Sequence, residues 1–262
     1  MLNIDQKTIF LTGSGGVLGT QYVGDMLEAG ARVVASELPG ERHDELKEKF
    51  GSHARFHLYE MNVSDEQQIA VTFDAMEADG LTPNVYVNNA SITPEFLMKD
   101  GTTFPDFANI SLEAWNKTLS VNTTGPFLVA REMDRKVIGK RPVKLVNIAS
   151  MYALMAPHHD IYEGMPFKNF SAYQVTKAGT HGLTLWLASY WRKKEATVNT
   201  LAPGAVFNGH SEEFQSRVSN LIMQGRMAQA SEISQVMMFL CSDSSSHMTG
   251  QFVNVDGGYS AW

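Results

Sequence analysis

Two residue types that can exchange or stabilise a proton stand one helical turn apart in the segment SAYQVTK, residues 171–177. Tyr173 precedes Lys177 by four positions, which puts the phenol and the ammonium on one face if the segment is helical. Each group can then change the proton affinity of the other, so the pair is suited to acid–base chemistry. Tyrosine and lysine share this spacing on many ordinary helices, and the pair therefore needs support from the rest of the chain.

A glycine-rich turn, TGSGGVLG at residues 12–19, follows the first predicted strand and opens a helix. Gly13 permits a tight turn, Gly16 lets the backbone approach a pyrophosphate, and Gly19 lets the helix pack closely on the sheet. The N–H groups and the dipole at the helix start favour phosphate. Unless it is a plain glycine-rich turn, the pattern predicts a dinucleotide site formed by Gly13, Ser14, Gly16, Val17, Leu18 and Gly19.

Glu37 ends the second predicted strand, where a carboxylate can bind ribose hydroxyls and repels a 2′-phosphate. Positions 14–18 and 36–40 contain no Arg or Lys that would bind such a phosphate. NAD rather than NADP is therefore the predicted cofactor, the alternative being that Glu37 caps a helix or lies on the surface. Four residues after the third and fourth strands are also predicted to meet the cofactor: Asn62, Val63, Asn89 and Ala90.

Short apolar segments alternate with amphipathic patterns along the chain, which is typical of a parallel sheet covered by helices on both faces. The predicted strands cover residues 8–12, 31–37, 54–60, 84–89, 143–149, 196–202 and 251–255. The predicted helices cover residues 17–30, 41–50, 64–79, 111–138, 171–194 and 231–242. No linker or repeat interrupts the series, so residues 1–262 are predicted to form a single α/β domain with a doubly wound, Rossmann-type sheet. Its ligands should bind beyond the carboxyl ends of the strands.

The chain has 262 residues and a formal net charge of −7, with 21 basic residues scattered along it. This balance disfavours a nucleic-acid or anionic-membrane surface and favours a small-molecule substrate. The single cysteine, Cys241, excludes an internal disulfide and is predicted to be a buried thiol, which fits a reducing compartment. Because neither a signal peptide nor an apolar stretch of membrane-spanning length occurs, a cytoplasmic location is expected.

Six motifs carry a resemblance to a known family. They are the glycine turn, NNAS at 88–91, NIAS at 147–150, YQVTK at 173–177, NTLAPG at 199–204 and VDGG at 255–258. In this order the chain resembles the short-chain dehydrogenase/reductase family from about residue 7 to residue 260. The resemblance implies that Ser150 binds the substrate oxygen and that Tyr173 exchanges its proton. It further implies that Lys177 holds the nicotinamide ribose and lowers the pKa of the tyrosine, and that Asn122 helps maintain a water path to the lysine.

The resemblance also implies cofactor contacts and assembly. Tyr173 and Lys177 belong to the implied cofactor site, and Asn208 stands where threonine often contacts the nicotinamide carboxamide. Relatives usually pair their long helices, so a homo-oligomer is expected, a dimer or tetramer. The loop after the sixth strand completes the implied cofactor site with Pro203, Gly204, Val206 and Asn208.

The implied chemistry explains the residue types. A free phenol has a pKa near ~10, so a tyrosine base near neutral pH needs a pKa lower by about 3, a preference of roughly 4 kcal/mol for the phenolate. The Lys177 ammonium and the oxidised nicotinamide, both cationic, can supply it. Ser150 offers a neutral hydrogen bond to the substrate oxygen, and hydride passes between substrate carbon and nicotinamide. The ordinary alternatives are a strand-end cap for Ser150, a buried structural amide for Asn122 and a packed ring for Tyr173.

The chain departs from the family pattern in its glycine turn. Glycines at 13, 16 and 19 are typical of the longer-chain branch, which includes sugar-nucleotide epimerases and dehydratases. Asn62 stands where aspartate is common and Ser91 where glycine is common, and both retain hydrogen-bonding capacity.

A longer departure lies between Ser150 and Tyr173, which are 23 positions apart against roughly a dozen in most of the family. The inserted segment, residues 151–170, is predicted to be a lid over the substrate pocket, the alternative being a surface excursion or subunit contact. It contains adjacent histidines, His158 and His159, which lack the usual ligand spacing, so no metal site is expected.

The loop at 205–227 is the second predicted wall of the pocket, either a mobile closing loop or a solvated helix face. The segments SMYA (150–153) and IYEG (161–164) resemble those of family members linked to bacterial surface-sugar and flagellin-glycan pathways. This resemblance suggests a sugar derivative as substrate.

The first hypothesis is therefore an NAD-dependent alcohol dehydrogenase or carbonyl reductase. An epimerase or dehydratase that retains its NAD is the second, and a nucleotide-binding protein without turnover is the third. Net formation of NADH separates the first from the second.

Overall fold

The computed structural model describes residues 3–94 and 104–262. Within them, seven strands form one sheet: β1 (Thr8–Thr12), β2 (Arg32–Glu37), β3 (Phe56–Glu60), β4 (Val85–Asn88), β5 (Val143–Ile148), β6 (Ala196–Pro203) and β7 (Phe252–Val255). Their order is β3-β2-β1-β4-β5-β6-β7, and neighbouring strands are parallel. All the predicted strands are confirmed, with ends shifted by one or two residues at most.

Helices connect the strands in the described part of the chain. They are α1 (Val17–Glu28), α2 (Glu41–Phe50), α3 (Glu66–Ala78), α4 (Leu112–Leu119), α5 (Gly125–Lys136), α6 (Ser171–Tyr190), α7 (Glu212–Ser219) and α8 (Ala230–Cys241). Not one of these helices combines the length and the apolar character that crossing a membrane requires, a finding that covers the described residues alone.

The continuous helix predicted over residues 111–138 is wrong, because a π-helical turn at Ser120–Thr124 separates α4 from α5. Pro126 follows this turn closely and has no backbone N–H. The carbonyl of Asn122 therefore cannot receive the amide hydrogen that residue 126 would donate in an α-helix, and the backbone widens instead.

The two faces of the sheet are covered by different helices. Ile9 and Leu11 of β1 belong to a buried cluster that includes residues of α1 and α8. Phe10, between them, belongs to a second cluster with residues of α3, α5 and α6. Because neighbouring strand residues point to opposite faces, this division confirms the predicted doubly wound fold.

The strand order reverses at β1, which pairs with β2 on one side and β4 on the other. Leu11 lies opposite Ala35 in the first pair and opposite Val87 in the second. In such a sheet, ligands bind at the carboxyl ends of the strands where the order reverses. The glycine turn directly follows β1 and therefore lies at this point.

Candidate active site

Tyr173 and Lys177 lie in the first two turns of α6, as the spacing predicted. The Lys177 Nζ atom is 5.4 Å from the centre of the Tyr173 ring. Lys177 is only 3% exposed, and its Nζ donates a hydrogen bond of 3.0 Å to the carbonyl oxygen of Ile148, the last residue of β5. Burial lowers the pKa of the Lys177 ammonium to about 8. The group is thus still mainly protonated at pH ~7 and can stabilise a nearby phenolate.

Ser150 follows the end of β5 and caps a 3₁₀ turn at Met151–Ala153. Its Oγ accepts a hydrogen bond of 3.3 Å from the backbone N–H of Tyr152. This bond uses a lone pair of the hydroxyl and leaves its proton for donation to another group. The strand that supplies Ser150 also supplies the carbonyl that binds Lys177, so β5 brings the two residues to the same edge of the sheet.

Asn122, in the π-helical turn, uses its side chain to hold the backbone around the site. Its Oδ1 accepts a bond of 2.7 Å from the N–H of Ile92, and its Nδ2 donates to the Ile92 carbonyl at 3.0 Å. The same Nδ2 donates to Thr176 Oγ1 at 3.2 Å, and that hydroxyl donates to the Tyr173 carbonyl at 2.7 Å. Asn122 therefore joins the segment after β4 to the first turn of α6.

At two glycines of the turn an added side chain would clash with the protein, whereas at a third there is open space. Gly13 has φ +64°, and a Cβ added there would lie 2.5 Å from the Cα of Ala90. A Cβ on Gly19 would lie 2.5 Å from the Gly13 carbonyl oxygen. A Cβ on Gly16, in contrast, would meet no atom closer than 3.7 Å.

The start of α1 fits a pyrophosphate. Gly16 is the N-cap residue and provides no side-chain hydrogen bond, and the first helical turn, beginning at Val17 and Leu18, contains no acidic residue. Helix N-terminal N–H groups that lack a side-chain cap attract anions, and the open space at Gly16 lets a phosphate approach them. The residues present therefore fit the phosphates of a dinucleotide.

Residues after β4 hold the glycine turn in place. Asn89 Nδ2 donates to the carbonyl oxygens of Thr12 at 3.2 Å and Gly13 at 2.8 Å. Thr12 Oγ1 accepts the backbone N–H groups of Asn89 and Ala90, each at 3.1 Å. Ser14 turns its hydroxyl inward, where it donates to the Leu11 carbonyl at 2.9 Å. Asn89 and Ala90 therefore lie beside the turn, as expected for residues near a cofactor.

Glu37 also contacts the glycine turn. Its Oε2 accepts a bond of 2.8 Å from the Gly15 N–H, and its Oε1 accepts one of 2.9 Å from the Leu38 N–H. Arg42, in the first turn of α2, was not predicted, because its distance from the turn depends on how α2 packs. A Cβ on Gly15 would lie 2.7 Å from the Cβ of Arg42, so this exposed arginine lies beside the turn as well.

Asn62 and Val63, after β3, have local structural contacts. Asn62 Oδ1 accepts bonds from the Ser64 N–H at 3.0 Å and the Ser64 hydroxyl at 2.7 Å. Val63 is 7% exposed and packs against Gly125, where an added Cβ would lie 3.0 Å from Val63 Cγ2. Their predicted approach to adenine stays a prediction.

The predicted contacts after β6 lie at the same edge of the sheet. Pro203 ends β6, and a Cβ on Gly204 would lie 2.6 Å from the Cα of Asp256, so the chain there needs glycine. Val206 forms an isolated parallel bridge with Ala228. Asn208 is exposed, as its predicted contact with a ligand requires.

Known proteins resemble this chain over almost its full length. A family model described as enoyl-(acyl carrier protein) reductase matches residues 16–260. The 3-oxoacyl-(acyl-carrier-protein) reductase FabG of Aquifex aeolicus is 31% identical over 267 residues, covering 98% of this chain and 98% of that protein. The chain belongs to the short-chain dehydrogenase/reductase family.

One further relative of this short-chain dehydrogenase/reductase is named for its substrate, and one solved structure contains a bound cofactor. D-threitol dehydrogenase of Mycolicibacterium smegmatis is 26% identical over 262 residues, covering 98% of this chain and 94% of that enzyme. A short-chain dehydrogenase from Leptospira borgpetersenii, solved with bound NAD⁺, has a TM-score of 0.83 and 27% identity and covers 98% of this chain and 94% of its own. The chain is thus an oxidoreductase of this family, whose fold binds a nicotinamide cofactor.

The two segments predicted to shape the pocket of this short-chain dehydrogenase/reductase pack against each other. Arg217 of α7, within 205–227, donates to the Ile161 carbonyl at 3.2 Å and to the Glu163 carbonyl at 2.5 Å. The ring of Phe214, also in α7, lies 5.7 Å from that of Tyr162. In this structure residues 205–227 are therefore a folded support for the inserted segment.

The C-terminal segment forms a third part of this wall. Tyr259 is 2% exposed, and its ring lies edge-on at 6.5 Å from that of Tyr152 and at 5.9 Å from that of His158. Trp262 Nε1 donates to the Leu221 carbonyl at 3.0 Å.

Across residues 3–94 and 104–262, no group of three or more His, Cys, Asp or Glu is arranged to hold a metal ion.

Proposed function

We propose that this short-chain dehydrogenase/reductase transfers a hydride between NAD(H) and a secondary alcohol or ketone. The observation that carries the proposal is the junction of β5 and α6. The carbonyl of Ile148, two residues before Ser150, binds the Nζ of Lys177, and Tyr173 lies one helical turn before that lysine. This group lies at the carboxyl edge of the sheet, where the glycine turn also lies.

Tyr173 is proposed as the group that takes the proton from an alcohol or returns it to a carbonyl oxygen. Its phenolate is favoured by the positive charge of Lys177, whose pKa of about 8 keeps it mainly protonated at neutral pH. The carbonyl of Ile148 fixes the ammonium beneath the ring, so the stabilising charge is already in place before substrate binds.

Ser150 is proposed to donate its hydroxyl proton in a hydrogen bond to the substrate oxygen. The Tyr152 amide occupies an acceptor site of the Ser150 oxygen and leaves that proton for the substrate. A donor at this position stabilises negative charge on the oxygen as the alcohol loses its proton and as the carbonyl accepts hydride.

The backbone carbonyl of Asn122 is proposed to bind a water on the path that supplies protons to Lys177. Its side chain is used by Ile92 and Thr176, whereas its carbonyl cannot receive an amide hydrogen from Pro126. A carbonyl that receives no amide hydrogen from the residue four positions on is a suitable acceptor for a water that exchanges protons with Lys177.

The bound cofactor supplies the carbon that accepts or delivers hydride. NAD is proposed because the Glu37 carboxylate beside the turn favours ribose hydroxyls and disfavours a 2′-phosphate. The guanidinium of Arg42, a residue that also lies beside the turn, would favour such a phosphate instead. Tyr173 and Lys177 are proposed to contact the nicotinamide side. The remaining proposed cofactor residues are Gly13, Ser14, Gly16, Val17, Leu18, Gly19, Asn62, Val63, Asn89, Ala90, Pro203, Gly204, Val206 and Asn208.

A polyol or other sugar derivative is the proposed substrate class. The D-threitol dehydrogenase relative supports this class. The half-buried Tyr162 of the inserted segment supports it further, since its ring can pack against a carbon skeleton. The FabG relative, in contrast, favours a carrier-linked oxoacyl group, which a substrate panel must therefore include.

The test is net formation of NADH from NAD with a panel of polyols and secondary alcohols, and its consumption with the corresponding ketones and an oxoacyl thioester. Stoichiometric NADH formation supports the proposal. Sugar conversion without net NADH supports the second candidate, an epimerase or dehydratase, which the glycine spacing at 13, 16 and 19 favours. Failure of every substrate to react contradicts both.

A homo-oligomer, dimer or tetramer, is also proposed, together with a single domain over residues 1–262 in the cytoplasm. Trp186 and Tyr190 of α6 are 59% and 51% exposed, and their rings stack with centres 4.7 Å apart. Large exposed rings on one helix face favour burial against a second copy. Light scattering that gives a monomer mass at micromolar concentration contradicts this part.

A further inference from the structure

Tyr162 makes a hydrogen bond within the inserted segment, to Tyr152, which lies two residues after Ser150. It ends the 3₁₀ turn His159–Tyr162, and its hydroxyl oxygen is 3.1 Å from that of Tyr152. Tyr152 is 8% exposed and belongs to a buried cluster of aromatic and aliphatic side chains. The sequence motifs of the site include neither phenol as a functional group.

The surroundings make this bond costly to lose. Burial, and then the neighbouring Tyr162 phenol, raise the pKa of Tyr152 above its ordinary value, so its hydroxyl keeps its proton at neutral pH. The Tyr259 phenol, whose ring lies edge-on to that of Tyr152, raises the pKa of Tyr152 further. A hydroxyl in such a cluster loses more on losing a partner than it would in water.

The backbone of Tyr152 continues the path to Ser150. Its N–H donates to Ser150 Oγ at 3.3 Å, and the N–H of Ala153 donates to the Ser150 carbonyl at 2.9 Å. The direction of the Ser150 hydroxyl thus depends on where the 3₁₀ turn holds the amide of Tyr152.

Tyr162 is itself fixed from the outside. Arg217 binds the carbonyls of Ile161 and Glu163, the residues on either side of Tyr162. The ring of Tyr162 packs against that of Phe167 at 6.0 Å, and these ring contacts remain when only the hydroxyl is removed. Tyr162→Phe is therefore a variant that removes the hydrogen bond and keeps the packing.

We propose that Tyr162 is a positioning residue for Ser150, which it holds through the phenol and the backbone amide of Tyr152. The inference rests on the proposed function only in taking Ser150 as the hydroxyl that binds substrate. Through this path, the folded state of the inserted segment controls the geometry of the reaction.

Amide hydrogen exchange, measured by NMR on the full chain, tests the structural half without any substrate. Removing the Tyr162 hydroxyl is expected to raise the exchange rate of the Tyr152 amide by about 3- to 10-fold, since it weakens a neutral hydrogen bond that holds the turn. Ser150→Ala is expected to raise the same rate. Tyr59→Phe, which removes a phenol hydrogen bond from β3 to Asp79, is the control and should leave it unchanged. An unaltered Tyr152 amide in Tyr162→Phe overturns the proposal.

Kinetics test the functional half. Tyr162→Phe is expected to lower kcat by about 3- to 10-fold with the Kd for NAD unchanged, and to have no further effect in the Ser150→Ala background. An equal further loss in that background overturns the proposal, because the effect then does not pass through Ser150. If the wild-type enzyme has no turnover, the proposed function fails while the exchange measurement still decides the role of Tyr162.

Discussion

Lys177 Nζ donates a 3.0 Å hydrogen bond to the carbonyl of Ile148, so the buried cation of α6 is fixed to the strand that presents Ser150. This contact joins the two elements that carry the proposed acid–base group and the proposed hydrogen-bond donor. Replacing Lys177 with an apolar residue is therefore expected to lower activity and, because the cost of burying the charge disappears, to raise stability.

Replacing Lys177 by methionine removes the cation and keeps the length of the side chain. We expect Lys177→Met to lower kcat/KM for alcohol oxidation at neutral pH by about 100-fold or more, because the phenolate of Tyr173 loses its stabilising charge. Steady-state kinetics at saturating NAD measure the loss. Lys193→Met, an exposed lysine beyond α6, is the matched control, and similar activity for both variants would count against the assigned role.

The stability of the same variant should depend on pH. The pKa of Lys177 is about 8 in the folded protein against 10.5 for a free lysine. Between these values the unfolded chain binds more protons than the folded protein. The free energy of unfolding of the wild type therefore rises with pH from about 8 to 10.5, and below about 8 the folded protein bears the whole cost of burying the charge.

Lys177→Met lacks this titration. We expect the free energy of unfolding of the wild type, relative to Lys177→Met, to rise by about 2 kcal/mol from pH ~8 to pH ~10. Urea unfolding of both proteins at the two pH values measures it. A constant difference between the proteins would show that the buried ammonium does not have a lowered pKa.

The glycine turn allows stability and cofactor binding to be separated. Gly19→Ala places a Cβ 2.5 Å from the Gly13 carbonyl oxygen and should lower the free energy of unfolding by about 1–3 kcal/mol. Gly16→Ala meets no atom within 3.7 Å and should cost less than about 1 kcal/mol. It should nevertheless raise the Kd for NAD about tenfold, because the methyl group occupies the proposed phosphate space.

Thermal unfolding and NAD titration of both glycine variants check this pair of outcomes. Unchanged NAD affinity in Gly16→Ala would place the pyrophosphate elsewhere.

Glu37 is expected to set the cofactor preference. Glu37→Gln retains a side-chain oxygen for the Gly15 N–H and removes the charge that repels a 2′-phosphate. We expect the ratio of kcat/KM with NAD to kcat/KM with NADP to fall about tenfold or more. Glu60→Gln, opposite Glu37 in the register of β2 and β3, is the control. A wild-type enzyme that prefers NADP would instead point to Arg42 as the dominant residue.

The sequence allowed the strands, their parallel arrangement and the proposed catalytic residues to be predicted, because apolar periodicity and short local motifs carry that information. Residues 111–138 show one limit. An amphipathic pattern continues across Pro126, and only the backbone reveals that the helix widens around Asn122. Glycine spacing likewise indicated a phosphate site but did not distinguish the open position at Gly16 from the packed one at Gly19.

The walls of the pocket were predictable only as segments. Their structure depends on contacts between residues far apart in the chain, such as Arg217 with the carbonyls of Ile161 and Glu163, and no local pattern encodes them. Arg42 was missed for a similar reason, since its approach to Gly15 depends on how α2 packs behind the turn.

The rate of hydride transfer in Tyr173→Phe, followed as NADH formation in a single turnover with saturating NAD, tests the proposed chemistry most directly. Tyr190→Phe on the same helix is the control. We expect the Tyr173 variant to transfer hydride about 100-fold more slowly or worse while binding NAD with a Kd within about threefold of the wild type. Equal rates for Tyr173→Phe and the wild type would contradict the assignment of Tyr173 as the proton-transfer residue.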